Sequence, residues 1–308
     1  MEKENKKESI DYWNRNAEKW KRFAFDPKGD FAEFPTSGQR GKIVIDEIVK
    51  QGKERRNASI LDLGCADGAL LMALIDNGYC NVSGIDNSAA MINEARKRLK
   101  LKSTTLNEED IFVLGDVDNL ILPGNYDFIS ALGLIEYLVD VQSFFTNVSN
   151  RLNDSGLVFI ESRNKLFNLF SANQYTLKSD IPYLLGELEK SRSYSPITDE
   201  ADIASIVANI YKGVDIDATA IAGKPCLPNG TYPFDLPQYS PSELNGILSK
   251  SGLKIRNIIY YHAHPFPPVF EKNISIAFNK LALAMQPLGS TPIAATMFSS
   301  FVAIVEKV

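Results

Sequence analysis

Ser59-Ile60-Leu61-Asp62-Leu63-Gly64-Cys65-Ala66-Asp67-Gly68 runs from an apolar stretch into an acidic residue and two glycines four positions apart. Beyond it Ala69, Leu70, Leu71, Ala73, Leu74 and Ile75 recur at helical spacing. The reading is strand, tight loop, helix. Gly64 and Gly68 permit positive φ and the close approach of a ligand. The free N–H groups of the helix start face that ligand. Val82-Ser83-Gly84-Ile85-Asp86 is a second apolar run closing on a carboxylate. It lies roughly twenty residues past the loop, where a carboxylate suits the two donors of a ribose diol. The unit is therefore suited to a nucleoside-bearing cofactor. A second reactive pair is His262 and His264, the only two histidines of the chain. Histidine is the natural general base near neutral pH. No companion ligand stands at metal spacing, so no metal site is assigned.

The elements that must position these groups alternate strand and helix, as in a parallel α/β sheet. Strands are expected over 58–64, 82–86, 111–114, 126–132, 157–161, 253–261 and 298–305. Helices are expected over 68–77, 88–101 and 140–152, with Ser88 as the N-cap of the second. Trp13, Ala17 and Trp20 share one helical face within 9–26, and Ile43 to Val49 reads as a helix leading to the first strand. After Asn164 about 75 residues pass before Ser240 to Leu244, too many for a structureless loop. Phe167, Phe170, Tyr175, Tyr183 and Tyr194 make its first part aromatic, and Ile203 to Tyr211 looks helical. It reads as a lid over the substrate end of the sheet, or else as an oligomerisation arm or packing embellishment. A second insertion, 265–296, carries a helix from Asn273 to Met285. The division is an N-terminal helical cap (1–57), a cofactor-binding core (58–162), an inserted lid (163–238) and a C-terminal completion of the sheet (239–308).

A dinucleotide site favours G-x-G-x-x-G, and this loop has a different spacing. It resembles instead the acidic-x-G-x-G-x-G loop of class I S-adenosylmethionine (SAM) methyltransferases. Asp62, Gly64 and Gly68 match, and Ala66 replaces the middle glycine. The resemblance is close over 58–161 and looser over 240–261 and 298–307. It implies a Rossmann-like, seven-stranded, mostly parallel sheet whose last strand inserts antiparallel between strands 5 and 6. It implies SAM as cofactor, held by the loop residues Asp62, Gly64, Cys65, Ala66 and Gly68, and by Asp86 with Asn87. Asp116 is placed beside the adenine amine, with the Val117 amide on a ring nitrogen. Backbone at the end of strand 4, at Leu132, is placed on the methionine amino group. In the ubiquinone-biosynthesis O-methyltransferases an arginine near the position of Arg40 meets the methionine carboxylate; a solvated arginine is the alternative. The Tyr12-Trp13…Trp20 segment resembles the lid-forming start of many relatives. Many relatives read Glu-His where this chain has Glu136-Tyr137, so that histidine is missing.

SAM transfers its methyl group by in-line displacement, and the protein supplies alignment and, for some nucleophiles, proton removal. Ligands of open α/β sheets sit beyond the carboxyl ends of the strands. That places Glu136 and Tyr137, Arg163 and Asn164, and His262 and His264 toward the acceptor. The catalytic candidates are His262, His264, Glu136 and Tyr137. Aromatic platforms and amides in the lid suit a sugar. The expected reaction is methylation of a hydroxyl on a small molecule such as a sugar or sugar-containing metabolite. The alternatives are N-methylation of an amine, an NAD-binding oxidoreductase, and a non-catalytic SAM-binding protein.

Composition sets the remaining bounds. The chain has 308 residues, 44% hydrophobic and 23% charged, with a formal net charge of -5 and pI about 5.3. It lacks the long basic cluster of a nucleic-acid partner. Three cysteines, Cys65, Cys80 and Cys226, have neither metal-like spacing nor the number for a disulfide framework. With a charged start and no clean apolar span, a cytoplasmic enzyme with no membrane partner is expected. The oligomeric state is left open.

Overall fold

The computed structural model describes residues 3–24, 34–54, 57–102, 105–118, 124–171, 226–227, 230–231, 236–268 and 271–308. Tyr175, Tyr183, Tyr194 and 203–211 of the expected lid lie outside them. Among the described residues seven strands form one sheet. β1 (Ile60–Leu63) pairs parallel with β2 (Val82–Asp86) and β4 (Tyr126–Ala131). β2 pairs with β3 (Phe112–Leu114), and β4 with β5 (Leu152–Arg163). The C-terminal strand β7 (Phe298–Lys307) lies antiparallel between β5 and β6 (Leu253–Ala263). The order β3-β2-β1-β4-β5-β7-β6 is the Rossmann-like arrangement expected, with its antiparallel last strand.

Helices cover both faces, which is why β1 is buried along its whole length. On one face α2 (Thr36–Lys50), α3 (Ala69–Asp76) and α4 (Ala89–Lys100) pack through Val44, Leu71 and Ile92 onto Ile60, Phe112 and Phe159. On the other, α5 (Val141–Arg151) and α6 (Pro241–Ser249) pack through Phe145 and Leu244 onto Leu61, Leu63 and Ile160. Strand alternation then puts Asp62 and Glu161 on the α2 side, beside Ile60 and Phe159.

Three boundaries differ from the periodicity, and the first two move a site residue. α2 starts at Thr36, well before Ile43, because its first turns carry Ser37, Gln39 and Arg40. β6 runs on to Ala263, which takes His262 into the strand. β5 begins at Leu152, directly after α5, with a register shift between Tyr126 and Phe128. No helix among the described residues is long and apolar enough to cross a membrane.

The first helix, α1 (Lys3–Ala24), contributes to several loops at the strand ends. Asn14 Oδ1 accepts from Ser88 Oγ at 2.8 Å and from the Ala90 amide at 3.2 Å. Lys6 Nζ donates to Asp116 Oδ1 at 2.6 Å and also to Asp118. Trp13 meets the Tyr137 ring edge-on at 6.2 Å. These contacts put α1 over the carboxyl ends of β2, β3 and β4.

Candidate active site

The loop after β1 turns through positive φ at Gly64 (71°), Ala66 (47°) and Gly68 (74°). Gly68 begins α3, and a Cβ there would lie 2.7 Å from the Phe112 ring. Its bareness thus lets β3 pack under the loop as well as permitting the turn. A Cβ on Gly64 would meet Leu134 Cδ1 at 3.1 Å. Asp86, at the end of β2, fixes the loop across the strand gap. Its Oδ2 accepts from the Ala66 amide at 2.9 Å, and its Oδ1 from the Ser88 amide at 2.8 Å. Burial raises its pKa, and those amides pull it down.

Asp62, Gly64, Cys65, Ala66 and Leu132 line a cavity of about 540 Å³ together with Arg40 and Trp20. Ser130 Oγ donates to Asp62 Oδ1 at 2.7 Å. Burial still pushes the Asp62 carboxyl up to about 7. The Cys65 thiol is also held protonated by burial. Asp86, Asn87, Asp116 and Val117 do not line this cavity. Val117 is buried. Asp116 takes the Lys6 ammonium, and Ser88, beside Asn87, takes Asn14, so α1 sits on this side of the loop cluster.

Arg40 carries the second half of the site. Its Nη1 lies 2.5 Å from Glu161 Oε2, and Tyr261 donates its hydroxyl to Glu161 Oε1. Burial disfavours the guanidinium charge, but Glu161 outweighs it and holds Arg40 protonated. A Cβ on Gly133 would meet Arg40 Nη1 at 2.7 Å, so that glycine leaves the room the guanidinium fills. Glu136, in the turn Ile135–Tyr137 after β4, is 5% exposed, and its Oε2 has no hydrogen-bond partner. Burial first, and the Glu161 carboxylate second, raise its pKa to about 7; Arg163 and Arg40 oppose this.

His262 Nε2 and both ring nitrogens of His264 are buried without partners. His262 stacks on Phe34 at 4.1 Å, and His264 lies 4.6 Å from His262. Burial lowers His262 to about 4 and holds His264 well below its ordinary value, so both are neutral at pH 7. Asn164 is committed to structure: its Nδ2 donates to the Ala295 and Phe298 carbonyls, and its Oδ1 accepts from the Leu166 amide. Among the described residues no group of three or more His, Cys, Asp or Glu is placed to hold a metal.

A stability consequence follows from the neutral histidines. Their folded pKa values lie below the unfolded value of about 6.5, so the unfolded chain binds more protons in between. Their contribution is full above about pH 6.5 and is lost as pH falls below it, for His262 through about 4. Melting temperatures across this window should fall more steeply for the wild type than for a His262→Gln/His264→Gln variant. Parallel curves would show that the pair is solvated.

Sequence reasoning missed Glu161, Tyr261, Lys6 and Asn14. Glu161 was detectable as a lone acid closing the run Leu157-Val158-Phe159-Ile160. Lys6 and Asn14 carry no signal beyond polarity.

The methyltransferase domain family matches residues 37–210, more than half of the chain. A ubiquinone biosynthesis O-methyltransferase of Coxiella burnetii is 24% identical over 245 residues, 79% of this chain and 81% of that protein. Pavine N-methyltransferase of Thalictrum flavum subsp. glaucum is 30% identical over 146 residues, 46% of this chain and 39% of that one. Among solved structures the CcbJ methyltransferase of Streptomyces caelestis matches with a TM-score of 0.51 at 14% identity, covering 91% of this chain and 98% of that one.

Proposed function

We propose, since the chain belongs to the methyltransferase domain family, that this SAM-dependent enzyme methylates a hydroxyl of a small molecule and that Glu136 receives the proton. Relatives named as O-methyltransferases and N-methyltransferases support the general class of acceptor. The observation that carries the hydroxyl reading is Glu136: a buried carboxylate with an unanswered oxygen, raised to about 7, at the end of β4. A base of that pKa matches neutral operation. The lowered histidines are poorer proton acceptors.

The residues present fit the donor. When bound, SAM supplies a methyl group already activated on a sulfonium. Arg40 offers a guanidinium to the methionine carboxylate, and Gly133 leaves it space. Asp62 offers an acceptor to the amino group from the cavity wall. Asp86 keeps acceptor capacity for a ribose hydroxyl, since the Ala66, Ser88 and Asn87 amides take three of the about four lone-pair sites of a carboxylate. The cap helix α1, through Asn14, Lys6 and Trp13, excludes water over the same strand ends.

Asp86→Ala should weaken SAM by about 1.5–3 kcal/mol, the scale of hydrogen bonds to a charged group. Calorimetric titration measures this, and wild-type affinity in the variant would remove the assignment. Methyl-labelled SAM offered to pools of hydroxyl and amine acceptors then tests the reaction. Label recovered only as N-methyl product would overturn the hydroxyl reading.

A further inference from the structure

The two histidines remain unused by this chemistry, and their surroundings are unlike those of packed core histidines. Strand alternation would turn His262 away from Tyr261 and Ala263, which face the α2 side. Its φ of 61° breaks the alternation, and its ring stacks on Phe34 of that same side. A non-glycine residue in the left-handed region costs of order 1–3 kcal/mol and persists where the surroundings enforce it, commonly at ligand sites. The backbone is well anchored: the His264 amide donates to the Met297 carbonyl at 2.9 Å, and Ser299 Oγ donates to the His262 carbonyl at 3.3 Å.

The rings are not anchored by polar partners. Three of their nitrogens are buried and unanswered, although His264 is only 4% exposed. Buried polar atoms nearly always have partners, so three on one pair call for a group that completes them. Phe167 and Phe278 flank His264 at 4.5 and 5.6 Å, and Phe34 flanks His262. Aromatic walls and neutral imidazoles reject a charged group, and the imidazoles can both donate to and accept from a hydroxyl.

This ring cluster is linked through one contact chain to the donor side. Tyr261, next to His262, donates to Glu161, which pairs with Arg40 of the cavity wall. We infer that His262 and His264, between Phe34, Phe167 and Phe278, form the subsite that holds an uncharged, hydroxyl-bearing ring of the acceptor. This rests on the small-molecule reading above and narrows it to neutral rings. A flat phenolic ring and a sugar share this chemistry.

The test is a titration of the protein, ¹⁵N-labelled at histidine, with catechol in one arm and methyl glucoside in the other. Shifts of the imidazole nitrogens with one probe identify the ring type and support the assignment. Silence with both overturns it and marks the pair as packing. His264→Phe keeps an aromatic ring and removes both nitrogens. It should weaken the responding probe about tenfold, the loss of one net hydrogen bond, with SAM affinity unchanged. Undiminished probe affinity in a folded His264→Phe variant would also overturn it. None of these readouts requires turnover, so failure of Glu136 as the base leaves them intact, and the converse holds.

Discussion

Glu136→Gln is expected to lower turnover about 10²–10⁴-fold, the usual contribution of a positioned proton acceptor. The substitution keeps size and polarity and removes only basicity. In the wild type the carboxylate form dominates above about pH 7, because burial and Glu161 raise the group to that value. The rate should therefore climb tenfold per pH unit below about 7 and level above it. In the variant this limb should vanish, while SAM affinity stays put. A variant with wild-type turnover and an unchanged limb would exclude Glu136 as the proton acceptor. Glu136→Gln activity that is low but keeps its acid limb would assign the titration to another group.

The second large effect is on stability. Glu161→Leu leaves the Arg40 guanidinium, half-buried on the cavity wall, with its near partner gone, and Tyr261 without its acceptor. Removing one member of a fully buried pair costs about 3–5 kcal/mol; here that is the upper bound, since Arg40 borders the cavity and Glu136 still acts on it. Urea unfolding should show this loss in the midpoint with an unaltered slope. Adding Arg40→Met should recover most of it, since an apolar pair of similar volume replaces the charges. SAM affinity should stay poor in the double variant, which separates folding from binding. Single and double variants of equal stability would mean that Arg40 is solvated and needs no partner.

Much of this was legible in the chain. The donor loop could be read because Asp62, Gly64, Gly68 and Asp86 are close in sequence and their types follow from backbone geometry. The sheet could be read because the runs Ile60–Leu63 and Val158–Ile160 are buried on both faces and hence apolar throughout. Tyr261 and Glu161 could not be paired in advance, since their contact spans 100 positions and depends on β7 lying between their strands. The turn of His262 was equally hidden: a left-handed φ in a histidine leaves no mark on composition. The start of α2 was misplaced because its first turns face a cavity, so apolar periodicity is absent where Arg40 stands.

The position of β7 also sets an order of assembly. Among the described residues β6 is hydrogen-bonded in the sheet only to β7, and β7 is the later of the two in the chain. During synthesis β1 to β5 can pair as they emerge, so the donor loop and its Asp86 clamp can form early. β6 must wait beside the sheet with both edges open until Phe298–Lys307 arrives to bridge it to β5. Until then the sheet does not hold Tyr261 against Glu161, whose other oxygen pairs with Arg40. A chain truncated before Phe298 would thus be able to form its donor loop but would lack the strand that joins Tyr261, His262 and His264 to the sheet. β6, then unpaired, is also the segment most exposed to pairing with another chain.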